Sequence, residues 1–171
     1  MKHYALILAG LLLFSTTVPA LEKTGPERTD EVLQRSQPVL PFSLEQALQT
    51  FSKTVHGGVQ HVVSKSAGDT RQIKLIQAYL LKLADEYRKG DFSETERIHG
   101  ADMPGLTLLK TATTDDIKFE YKALENGAQI HYSTEYPQFV QALHIWFDAQ
   151  ISDHGNPVVP EHSQHHSTIA E

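Results

Sequence analysis

The sequence predicts an α+β fold: a small antiparallel or mixed sheet of three or more strands, with helices packed on one face. Three observations predict it. Apolar residues recur at spacings of three and four over residues 73–87 and again over 140–151, the period of amphipathic helices. Ile117, Phe119 and Tyr121 alternate with Lys118, Glu120 and Lys122 just before Glu125-Asn126-Gly127, a strand followed by a hairpin turn. A strand-like run, Gly58-Val59-Gln60-His61-Val62-Val63-Ser64-Lys65, is echoed by Gly127-Ala128-Gln129-Ile130-His131-Tyr132-Ser133-Thr134. Each run leads into a helical pattern, where Gln72 to Ile76 answers to Phe139 to Leu143 and Tyr79 to Trp146. The chain thus reads as β–α twice, as an internal repeat would.

In chain order, residues 1–20 have the form of a signal peptide. Lys2 and His3 precede the apolar stretch Tyr4 to Phe14, and Val18-Pro19-Ala20 sets small residues around a cleavage point. That stretch is shorter than the roughly 20 residues needed to span a bilayer. Residues 21–41 are polar, with Pro26, Pro38 and Pro41 and no apolar period, and are expected to be a disordered linker. The folded domain is expected over 42–155, beginning with a short helix from Ser43 to Thr54 and then a strand over 58–65. A helix should follow from Asp69, its N-cap, to Lys89, stopped by Gly90. Residues 91–114 form a long connection with a short helix after Pro104. In the hairpin, Asn126-Gly127 supplies residues that accept positive φ. The last helix should run from Tyr136 to Asp153, with Pro137 in its first turn and Gly155 at its end. Residues 156–171 form a polar tail carrying His162, His165 and His166, a weak metal cluster expected to be disordered.

Removing residues 1–20 takes Lys2 alone among the charges, so the net charge moves from −6 to −7. That balance argues against nucleic acid and anionic membrane as main partners. The chain has no cysteine, so a metal would have to be held by imidazole, carboxylate or thioether groups. Nine of its ten histidines lie beyond the signal segment.

Six side chains form the candidate ligand set. His144 lies within or beside the stripe Val140, Leu143, Phe147 and Ile151, and His154 lies at its edge. His61 takes the place of Ile130 in the echo, so strand alternation turns it inward toward the same space as His144. His56 precedes Gly57-Gly58, where backbone can approach a ligand closely. His99 and Met103 sit in a loop and together suit copper. Asp148 and Asp153 are placed to orient the imidazoles, whereas His131 falls on the outer face. The acidic groups Asp115-Asp116 and Asp91/Glu94/Glu96 are expected at solvated strand and helix ends.

Three stretches carry a family resemblance: His56 to Val63, Ile98 to Leu106 and Ala142 to Gly155. They are similar to a family of small exported bacterial proteins, sometimes labelled aspartate carbamoyltransferase. The resemblance covers residues 54–155 and implies a secreted or periplasmic domain. The chain has neither the Ser-Thr-Arg-Thr turn nor the His-Pro-x-Gln segment of that enzyme, so this activity is not expected. Phosphate-binding glycine loops, His-Glu-x-x-His and Gly-x-Ser-x-Gly are also missing.

The expected function is therefore an exported, periplasmic metal-binding protein, with copper or zinc held by histidines. A small-molecule or partner-binding module with structural or pH-responsive histidines is the alternative. A hydrolase or transferase with a histidine general base is a third. The expected partner is a metal ion or small molecule, with no membrane association once the signal is removed.

Overall fold

The computed structural model describes residues 25–154, so the expected signal segment, the Gly155 stop and the histidine tail lie outside the described residues. Nine elements follow in order: α1 (Pro26–Ser36), β1 (Ala47–Thr54), β2 (Gly57–Ser64), α2 (Thr70–Arg88), α3 (Ser93–His99), α4 (Leu106–Leu109), β3 (Lys118–Leu124), β4 (Gly127–Ser133) and α5 (Pro137–Asp153). The four strands form one antiparallel sheet in the order β1-β2-β4-β3, with the helices packed against it. The α+β architecture is the expected one.

The repeat is a hairpin followed by a helix, used twice. Thr54 pairs with Gly57 across Val55-His56, and Leu124 pairs with Gly127 across Glu125-Asn126. The central strands β2 and β4 then pair with each other. Neither turn places a non-glycine residue at positive φ, so Asn126 does not use the freedom expected of it. The helices cross over: α2 lies chiefly on β3 and β4, and α5 lies on β1 and β2. Each half therefore covers the other half's hairpin.

Two elements correct the sequence expectations. Residues 47–54 form a strand rather than a helix. Ala47 and Phe51 are buried, while Leu48, Thr50, Ser52 and Thr54 are exposed, an alternation of period two. The β-branched and aromatic content suits that state. Residues 26–36, expected as disordered linker, form α1, with Pro26 preset for its first turn. One fully buried apolar side chain, Val32, and the charge of Arg28 anchor it to α3 and α5. An anchor of one valine and one salt bridge leaves no apolar period to detect.

The remaining elements follow their local chemistry. Asp69 caps α2 by accepting from the Gln72 amide at 2.9 Å. The sheet packs closely under α5 at Gly58, where an added Cβ would lie 2.3 Å from Phe147 Cε2 and 2.6 Å from the Ser52 carbonyl. Trp146 is buried at the centre, edge-on to Tyr87 at 5.8 Å and to Tyr132 at 5.7 Å. Within the expected 91–114 connection, α3 is a helix the sequence did not announce. Its Glu94 is buried rather than solvated and is held by Lys82 Nζ at 2.6 Å.

Candidate functional site

The structure distributes the candidate histidines over three places. His61 does not point inward. On β2 the even-numbered residues Gly58, Gln60, Val62 and Ser64 are buried, whereas His61 faces the open side of the sheet and donates through Nε2 to Gln129 Oε1 at 3.0 Å. The reason is a slip of one residue in the echo. The hairpin turns align Gly57, not Gly58, with Gly127, so the equivalent of His61 is His131. A one-residue slip exchanges the two faces of a strand. His131 shares the outer face and lies 3.3 Å from Glu120.

His144 sits on the helix-bearing side and donates through Nε2 to the Thr54 carbonyl at 2.9 Å. His61 pairs with Thr50, four residues along β1, and so lies roughly 13 Å away along the strand and across the sheet. The two share no site. With its ring on the outer face, His61→Ala should change the unfolding free energy by no more than about 0.5 kcal/mol, read by urea denaturation.

His56 and His144 line an open groove of about 470 Å³ with Val55, Pro137, Val140 and Ile145. Asp148 does not orient His144; it is paired with Lys53 Nζ at 2.6 Å. Met103 packs in the hydrophobic core, 2% exposed, rather than standing in an open loop.

His99, His154 and Asp153 do come together. His99 is the last residue of α3, Asp153 the last of α5, and His154 follows it. His99 Nδ1 donates to Asp153 Oδ2 at 2.7 Å. Because the carboxylate only accepts, the proton is fixed on Nδ1, and Nε2 remains as the other hydrogen-bonding atom. Arg28 of α1 closes the cluster. Its Nε and Nη2 donate to the two Asp153 oxygens, both at 2.9 Å, and Nη2 also donates to the His99 carbonyl. Burial pushes the Asp153 carboxyl up, but the hydrogen bonds and charges of His99 and Arg28 outweigh it and hold it at about 2. Burial, reinforced by neighbouring His99, pushes His154 down to about 4, so its ring is neutral at pH 7. The two imidazoles stand edge-on, centroids 5.2 Å apart.

Both rings border a cavity of about 30 Å³ between sheet and helices. β1 and β2 contribute Gln49, Gln60 and Val62, and α2 contributes Tyr79, Leu80, Leu83 and Tyr87. Thr95 and Ile98 come from α3, Gln150 from α5, and Leu40 and Phe42 close it from the segment after α1. Gln150 is only 5% exposed and its side-chain amide bonds to no other described residue, but its atoms are not sealed off. Among the described residues the fully buried side-chain atoms without a partner are Glu94 Oε2 and Trp146 Nε1, and the Gln150 amide borders the cavity. Gln72, equally buried, ties both amide atoms to the Ser43 backbone at 3.2 and 2.7 Å. Gln60 is half engaged: its Oε1 accepts from Tyr132 Oη at 2.7 Å.

Gln60, Gln150 and Arg28 were missed as site residues. Gln150 had a legible signal. Phe139, Ala142, Leu143, Trp146 and Phe147 form the buried face of α5, and Gln150 falls on that same face one turn after Trp146. A carboxamide on an apolar face marks either a satisfied core bond or a site. Arg28 gave no signal, because its partner is 125 residues away.

Among the described residues no three His, Asp or Glu side chains converge as a metal's ligands would, and no helix is long and apolar enough to cross a membrane. Comparison with family models, with curated proteins and with solved structures gives no match.

Proposed function

We propose that the protein is an exported binding module for a small polar molecule, held at the cavity bordered by His99, His154 and Gln150. The observation that carries this reading is the unpartnered Gln150 amide. Its atoms are open to the cavity rather than sealed in the core, so they can bond to what enters it. Here two imidazoles and a second, half-engaged carboxamide border the same space. Asp153 and Arg28 fix the His99 ring in place, as the supports of a binding group should.

Metal binding is the second reading, favoured by the His99–His154 pair. A carboxylate behind a ligand imidazole is the usual arrangement at metal sites, and His154 is neutral as a ligand must be. With Zn–N bonds of about 2 Å, two rings on one tetrahedral ion have centroids about 5 Å apart, near the observed spacing. Copper or zinc would be the ion. Arg28 counts against it, because its guanidinium already engages both oxygens of Asp153.

Thermal melting of the full chain separates the two. The binding-module reading expects any gain with Zn(II) or Cu(II) to survive His99→Ala unchanged, as binding by the tail histidines would. A metal-dependent rise in Tm that His99→Ala abolishes would establish the metal reading instead.

A further inference from the structure

Resting on that reading, we infer that the cavity takes an uncharged primary-amide group, R–CO–NH2. Charge is the first argument. Arg28 engages both oxygens of Asp153, His99 takes a second bond to the same carboxylate, and His154 is neutral. No Lys, Arg, Asp or Glu is among the described residues that line the cavity, and the Arg28–Asp153 pair behind His99 is matched within itself. A ligand carboxylate or ammonium would be buried without a counter-charge, at a cost far above that of a neutral group.

Hydrogen-bond accounting is the second argument. Gln60 has its oxygen committed to Tyr132, which leaves its Nε2 as a donor. Gln150 contributes an acceptor oxygen and an NH2 donor, which bond to no other described residue and border the cavity. His99 has Nδ1 committed and Nε2 left. The site thus presents unpaired donors and acceptors together. A primary amide carries two donor hydrogens and a carbonyl with two lone pairs, so it answers both kinds at once. A hydroxyl has a single donor, and an apolar group would leave every one of these atoms unpaired.

Size is the third. A water needs about 10–15 Å³ by the same measure, so 30 Å³ accommodates a group of two or three heavy atoms. A carboxamide head has three. Leu40 and Phe42 also wall a groove of about 190 Å³ beside α1, with Leu33 and Ser36. The rest of the amide's molecule would run past those two side chains into that groove.

The test is a ¹H–¹⁵N NMR titration of the full chain with acetamide, acetate and methylammonium, reading the side-chain NH2 signals of Gln60 and Gln150. Acetamide should shift both saturably, in the weak range expected of four heavy atoms, and the two charged probes should not. Gln150→Leu should abolish the response at Gln60, and Gln150→Met serves if that variant fails to fold. If acetate or methylammonium binds as well as acetamide, the amide assignment is wrong while the binding reading stands. If no probe moves either signal, both fall.

Discussion

Asp153→Ala is expected to lower the unfolding free energy by about 3 kcal/mol, the low end for breaking a buried ion pair. Asp153 is the hub on which Arg28 and His99 both depend, and its side chain is 10% exposed against 23% for Arg28. Removing it leaves a guanidinium half out of water and a buried Nδ1–H with no acceptor. The loss should have a place as well as a size. Arg28 ties α1 to α5, so α1 should become protease-sensitive before the sheet unfolds. Urea denaturation gives the magnitude, and limited proteolysis with mass spectrometry gives the location. Arg28→Met should produce the same local release. A cost under 0.5 kcal/mol for Asp153→Ala would mean that the cluster does not hold α1.

Acidification is the second large effect, and it has two limbs. His154 titrates at about 4 in the folded protein against 6.5 in the unfolded chain. Between those values the unfolded state binds a proton that the folded state refuses, so stability falls as pH drops from 6.5 to 4, by up to about 3 kcal/mol. Asp153 has the opposite charge type and the same direction. Its folded value of about 2 lies below 3.8, so its contribution of about 2 kcal/mol is complete above pH 3.8 and is lost as pH falls through 2. Urea midpoints at pH 7.5, 5.5 and 4 should decline in that order, and His154→Gln should flatten the limb between 6.5 and 4. A midpoint unchanged over that interval would show that His154 is not buried in the neutral form.

The period-3.6 helices and the second hairpin were legible because each buries an apolar face whose spacing is written locally. Ile73, Ile76, Leu80 and Leu83 announce α2 by themselves. β1 and α1 were not legible for two different reasons. The apolar positions of β1 are few, and its inner row includes Gln49 and Lys53. The anchors of α1 are a single valine and a salt bridge to the far end of the chain. The site divided along the same line. His99, His154 and Asp153 were on the candidate list because their residue types invite chemistry. His61 was assigned to the wrong face because two glycines stand side by side at residues 57 and 58, and either could be aligned with Gly127. Asp153 is expected from the sequence to orient an imidazole without saying which, and the ring it holds is that of His99 at the end of α3.

The central claim is that the polar residues at the cavity are kept for a ligand and not for the fold. The most direct measurement is the unfolding free energy of Gln150→Leu in the full chain without added ligand. The Gln150 amide bonds to no other described residue and is open to the cavity, so an apolar side chain of similar size should leave stability unchanged to within about 1 kcal/mol. A loss of more than about 1 kcal/mol would show that Gln150 is a satisfied structural residue, and the site would be part of the core.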